Sequence, residues 1–234
     1  MITIEHQDQV GVITLNDGKV NALNLQSFSA LKKALEACRD KRAIVLTGKG
    51  KCFSAGLDLK ALIKLSEPEL ISVLDLFAEV MQALLTYPCP VVGAINGHAI
   101  AGGAVIALCC DRVIGAEKDL KIGLSEVTVG MSLPNLVVEL ARHRLAPNRL
   151  AEALLFGRTY TWSEALEVGY FHESAPDDSL GEKALESAHR LAALPRQAFH
   201  QTKVALQQHL PNDMGSEAAS SFLSEEARRY MGQF

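Results

Sequence analysis

Residues 91–110, VVGAINGHAIAGGAVIALCC, constrain more than any other stretch what this chain can fold into. About 20 consecutive apolar residues suffice to cross a bilayer, so a membrane span is the first reading to test. Asn96 and His98 interrupt the stretch, as do Gly93, Gly97, Gly102 and Gly103. A buried strand, a turn and a buried helix account for it better. The spacing predicts a strand over 91–95 and a helix over 102–110. That helix is apolar almost all round and must lie deep in an interior.

The same alternation runs through the residues before it. Segments 2–4 and 10–15 alternate apolar and polar residues as strands do, and Asn16-Asp17-Gly18 is a turn signal. Residues 25–37 have helical spacing, with Phe28, Leu31, Leu35 and Cys38 on one face. A short apolar strand is expected over 43–47, then a helix over 69–85 introduced by Pro68 and ended before Pro88 and Pro90. Strand, loop and helix repeating in this way make an α/β fold with a parallel sheet and crossover helices. After Pro134 helices are expected over 136–144, 148–156, 162–168, 180–194, 196–209 and 216–231, with 170–173 alone strand-like. A chain of 234 residues suits one large domain with a helical extension. The expected division is a core over 1–180 and a C-terminal helical region over 181–234.

The formal net charge is -4 and no block of basic residues occurs, so a nucleic-acid partner is not expected. The N-terminus shows neither a basic start nor an apolar run of signal length, so a cytoplasmic protein with no membrane partner is expected. The five cysteines are odd in number and form no CxxC pair, which fits free thiols in a reducing compartment. Cys52 has no nearby histidine to make it a nucleophile. Neither HExxH nor Cys/His spacing supports a metal site. Ser54 has no evident His–Asp partner, and neither GxGxxG nor a P-loop is present.

Three segments remain that can carry chemistry: 19–23 (KVNAL), 52–59 (CFSAGLDL) and 95–103 (INGHAIAGG). Each lies just past an expected strand, where ligands of parallel sheets gather. Small residues let backbone N–H groups approach a ligand, and a turn that opens a helix favours negative charge. Taken singly, Gly56 reads as a turn glycine and Gly102-Gly103 as close helix–strand packing. Their order and mutual spacing say more.

In that order and spacing the chain resembles the enoyl-CoA hydratase/isomerase (crotonase) superfamily along nearly its whole length. Asn21-Ala22-Leu23, Ala55-Gly56-Leu57-Asp58, Ile95 to Gly103 and Cys110-Asp111 match its motifs. Ala101 stands where a first glycine is common, a change expected to be harmless, and Arg112 where an apolar residue is usual. The resemblance implies a repeated β-β-α spiral core with a C-terminal helical trimerisation region. It implies an acyl-CoA thioester as substrate, with no cofactor beyond the coenzyme A it carries, and a homotrimer or hexamer with Phe222, Leu223 and Tyr230 at the interface as well as in the core. It assigns Leu57 and Gly102 as backbone donors to the thioester oxygen. Asn21, Ala22, Ala55, Gly56, Asp58, Leu59 and Gly103 fall in the segments that bind the substrate.

Hydratases of this family use two glutamates. The first would stand three residues after the oxyanion glycine, where this chain has Val105; the second matches Glu126 in Ile122-Gly123-Leu124-Ser125-Glu126. Without the resemblance, Glu126 reads as a surface carboxylate beside a Ser125 cap. With it, Glu126 is the expected single base, as in the family's Δ3,Δ2-enoyl-CoA isomerases. A 2-enoyl-CoA hydratase, thioester hydrolysis or decarboxylation, and a non-catalytic acyl-CoA binder or RNA binder are the alternatives. Leu76, Phe77, Met81, Met131 and Leu136 are candidates for an acyl tunnel.

Overall fold

The computed structural model describes residues 2–214 and 216–231. Among the described residues nine strands form two sheets. Strands β1 (Ile2–Gln7), β2 (Val10–Leu15), β3 (Ala43–Gly48), β5 (Val91–Ile95), β7 (Arg112–Glu117) and β9 (Glu173–Pro176) make the larger, in the order β1-β2-β3-β5-β7-β9. The β1–β2 pair is an antiparallel hairpin and every later pair is parallel. Strands β4 (Cys52–Ser54), β6 (His98–Ile100) and β8 (Ile122–Gly123) make a second, parallel sheet. Consecutive strands therefore alternate between the sheets: β3 then β4, β5 then β6, β7 then β8. A helix follows each pair, which is the repeating β-β-α unit of the expected spiral.

The helices form for local reasons and are held by the face they bury. Asn24 caps α1 (Leu25–Ala37) by accepting from the Gln26 and Ser27 N–H groups, and its stripe Phe28, Leu31, Ala34 and Leu35 is buried. Burying each of the larger side chains contributes roughly 1.5–3 kcal/mol. Phe28 stacks on Phe77 of α3 with ring centroids 4.8 Å apart. Helix α3 (Glu67–Leu85) follows the short α2 (Leu59–Leu62) and opens on a Ser66–Glu69 capping box with Pro68 in its first turn. All seven residues of α4 (Gly102–Leu108) are buried, as its uninterrupted apolar sequence requires. The next helices are α5 (Asn135–Arg144), α6 (Trp162–Val168), α7 (Leu180–Ala192), α8 (Arg196–Gln207), α9 (Ser216–Leu223) and α10 (Glu225–Met231). Helix α7 packs across β2, β3, β5, β7 and β9.

Three expectations for the second half change. Residues 148–156 form no α-helix: Pro147–Arg149 is a 3-10 turn and Ala151–Leu155 is π-helical. The last strand is Glu173–Pro176, while Tyr170 and Phe171 before it are core residues. The segment 216–231 is two helices, because the Ser224 hydroxyl accepts from the Ala227 N–H and starts a new one. Among the described residues no helix is long and apolar enough to cross a membrane.

Candidate active site

The ends of β4 and β6 bring two loops into backbone contact. Gly56 sits at φ +84, in the left-handed region. A Cβ placed on it would lie 2.7 Å from the Ile100 carbonyl oxygen and 3.2 Å from the Gly102 nitrogen, so a side chain there would force the loops apart. Gly103 is equally confined, with its would-be Cβ 2.3 Å from the Ser54 carbonyl oxygen. The Leu23–Leu57 bridge uses the Gly56 carbonyl and the Asp58 N–H, leaving the Leu57 N–H outside the pairing. Gly102 is the first residue of α4, and the first N–H groups of a helix have no partner inside it. Two main-chain donors thus stand free on neighbouring loops. Ala101, at φ +51 and ψ -120, shows that the alanine expected to be harmless is strained, by about 1–3 kcal/mol. Its N–H is held by the Gly123 carbonyl at 2.8 Å.

These loops form one wall of a cavity of about 360 Å³. Ala55, Leu57, Leu59, Ile100, Gly102 and Val105 line that wall. Ser125, Glu126, Val129, Met131 and Val137 line the same cavity. Glu126 opens the 3-10 turn Glu126–Val129, which follows β8 and ends at Gly130 with φ +75. The Ser125 side chain caps nothing, so the surface-cap reading of Glu126 is excluded. The Glu126 residue is only partly buried, yet its Oε2 is sealed from solvent without a hydrogen-bond partner. Loss of hydration in this apolar setting pushes the carboxyl up to about 7. A carboxyl held there exchanges protons readily near neutrality.

The structure brings Leu57, Gly102, Glu126, Ala55 and Leu59 together on this cavity and places the other expected residues behind it. Asn21, at φ +56 and 3% exposed, spends its side chain on scaffolding. Its amide donates to the Lys49 and Cys52 carbonyls at 3.1 and 2.8 Å and accepts from the Asp17 N–H at 3.0 Å. The Ala22 N–H donates to the Asp17 carboxylate at 2.9 Å. The Asp58 carboxylate caps α2 by accepting from the Ala61 N–H at 3.1 Å. Of the tunnel candidates, Phe77 and Met131 line the cavity, while Leu76, Met81 and Leu136 do not. Phe222 does line it, with Met214 and Ala218. The sequence places Phe222 in the core as well as at a subunit interface, but no periodic signal marks a helix that folds back over a distant loop.

The competing nucleophiles and bases are accounted for by their bonds. The Ser54 hydroxyl donates to the Asn21 carbonyl at 2.7 Å and accepts from the Gly56 N–H at 3.2 Å. Burial pushes the Cys52 thiol up, away from the reactive thiolate. The Nδ1 of His98 accepts from the Lys121 N–H at 3.0 Å, which fixes β6 to the strand beside it. Sequence reading passed over Tyr170. Its buried hydroxyl has no partner within hydrogen-bond geometry, and burial together with the nearby Glu126 charge holds the phenol well above its usual range.

A family model described as enoyl-CoA hydratase/isomerase matches residues 5–222. The chain belongs to this family. A Thermus thermophilus relative named after enoyl-CoA hydratase is 37% identical over 203 residues, covering 82% of this chain and 76% of that one. Among solved structures, a Mycobacterium tuberculosis protein named enoyl-CoA isomerase in one structure and probable enoyl-CoA hydratase in another is, in the first, 31% identical with a TM-score of 0.84, covering 100% of this chain and 98% of that one. The human mitochondrial Δ3-Δ2-enoyl-CoA isomerase is 25% identical with a TM-score of 0.85, covering 99% and 91%. The crotonase fold is thereby shown along nearly the full chain, with both hydratase and isomerase names among its relatives.

Proposed function

We propose that this family member is a Δ3,Δ2-enoyl-CoA isomerase with Glu126 as its single shuttle base. The observation that carries this is the cavity itself. Among the described residues its wall holds one ionisable side chain, Glu126, and Val105 stands where a hydratase would need a second carboxylate. The thioester oxygen sits against the N–H groups of Leu57 and Gly102. Ionised Glu126 removes a proton from C2, the negative charge spreads onto that oxygen as a dienolate, and the same carboxyl returns the proton at C4. Each fixed donor is worth about 3–4 kcal/mol to such an oxyanion. The backbones of residues 21–22 and 55–59 are offered to the coenzyme A portion.

A 2-enoyl-CoA hydratase is the second reading, favoured by the names of several relatives. Hydration is helped by two groups, one to position water and one to protonate C2, and Val105 can do neither. The two are separated by mixing the protein with a trans-3-enoyl-CoA and, in a second cuvette, with a trans-2-enoyl-CoA. Growth of the conjugated-thioester absorbance in the first is expected, with a loss of about 10²–10⁴-fold in the Glu126→Gln variant. Disappearance of that absorbance in the second alone would replace isomerisation with hydration. Assembly as a homotrimer, or as a hexamer of paired trimers, belongs to the same proposal. Its support is uncovered apolar surface: Leu155 and Phe156 are each 68% exposed and Leu206 is 60% exposed.

A further inference from the structure

We infer that the acyl group held here is a hydrocarbon chain of about eight to ten carbons with no charged end, and that α9 sets the limit. The inference rests on the acyl-CoA reading above and adds the substrate class. The cavity is also lined by Phe77, Val105 and Val137, and by Met214, Ala218 and Phe222. None of these offers an ionic partner, and the serine and threonine side chains at 125, 128 and 132 that share the lining are neutral. A carboxylate at the end of the acyl chain would lose its water there without an ionic replacement. The Thr128 hydroxyl, nearer the glutamate, is already engaged, donating to the Ser125 carbonyl at 2.7 Å.

The end wall is fixed. Ala218 is 8% and Phe222 3% exposed, so α9 is seated on its buried face. The Ser132 N–H donates to the Ser221 hydroxyl at 2.8 Å, which ties α9 to the loop before α5. A second tie lies beyond it, where α10 packs on the turn that carries Glu126. A Cβ on Gly130 would meet Ala227 and Tyr230 at 3.1–3.2 Å. One helical hairpin therefore closes the acyl cavity and backs the glutamate.

The volume sets the length. At about 30 Å³ for each water-sized group, the roughly 360 Å³ available takes about twelve non-hydrogen atoms. Two of these are the thioester oxygen and sulfur, and up to about two more belong to the coenzyme A arm beside residues 55–59, which leaves about eight to ten carbons for the acyl chain.

The test is isothermal titration of the full chain with saturated straight-chain acyl-CoAs of four to sixteen carbons, with glutaryl-CoA and free coenzyme A alongside. Saturated thioesters cannot isomerise, so the series reads the cavity whatever reaction the enzyme performs. Affinity is expected to rise about fourfold per methylene, the gain from burying one CH₂, and to stop rising at eight to ten carbons. Glutaryl-CoA is expected to bind no better than butyryl-CoA. In the Ala218→Phe variant the break moves to a shorter chain; the wild-type series stands without it should that variant misfold. Affinity that is flat from four carbons onward, that climbs to sixteen, or that is matched by glutaryl-CoA overturns the inference. Failure of every thioester to bind better than free coenzyme A would remove the acyl-CoA reading beneath it.

Discussion

The raised pKa of Glu126 makes the site measurable without any substrate. Its carboxyl stands at about 7 in the folded protein, against 4.5 for an unperturbed glutamate, because burial penalises the charged form. The folded-state value lies above the unfolded one, so the favourable contribution of the protonated form is fully present below about pH 4.5 and is lost as pH rises through 7. Glutamine mimics the protonated carboxyl and does not titrate. Relative to Glu126→Gln, the wild-type protein should therefore lose about 2–3 kcal/mol of stability between pH 5 and 8.5. For a chain of this size that is a divergence in Tm of roughly 5–10 °C. Melting both proteins by circular dichroism across that range tests it. Constant effects of the substitution, and the titration of every group the two proteins share, cancel in the difference. The rate gives a second reading: a base must be ionised, so kcat/KM should rise through about pH 7 and flatten above it. A Tm difference that does not change with pH would refute the argument, because the carboxyl would then be solvated.

Two further outcomes follow from other parts of the fold. The Lys203 ammonium is 3% exposed and lies 2.6 Å from the Asp111 carboxylate, which also accepts from the Val91 N–H at the start of β5. Lys203→Met strands that carboxylate and should cost about 3–5 kcal/mol in chemical denaturation; a loss under 1 kcal/mol would show that water reaches it. Sedimentation velocity should show trimers or hexamers that cover the exposed Leu155, Phe156 and Leu206, and a monomer at micromolar concentration would end the assembly proposal.

Much of the active site could be read from the chain because its parts are local. Gly56 and Gly103 are dictated by close backbone approach, and the turns that need them leave short motifs at fixed spacing. The parallel sheet was equally legible, since β2, β3 and β5 are buried runs of ordinary length. The second sheet was not: β4, β6 and β8 are three, three and two residues long, too short for any periodicity to show. The helix expected over 148–156 and the strand expected over 170–173 failed because side-chain pattern does not fix backbone hydrogen bonding. Pairing with β7 placed the last strand at Glu173–Pro176.

By itself the sequence determined that a strand–turn–helix unit would be buried and that its glycines would bring two loops together; that Val105 leaves one glutamate where a hydratase has two is what the family resemblance implies. Only the tertiary structure decided the properties of that glutamate. Taken without the family resemblance, residue 126 reads as a surface cap until the turn after β8 places it in the lining of a cavity that α9, almost a hundred residues later, helps to close. Burial, and with it a carboxyl poised near neutrality, belongs to no segment alone, because water is excluded by groups distant in sequence.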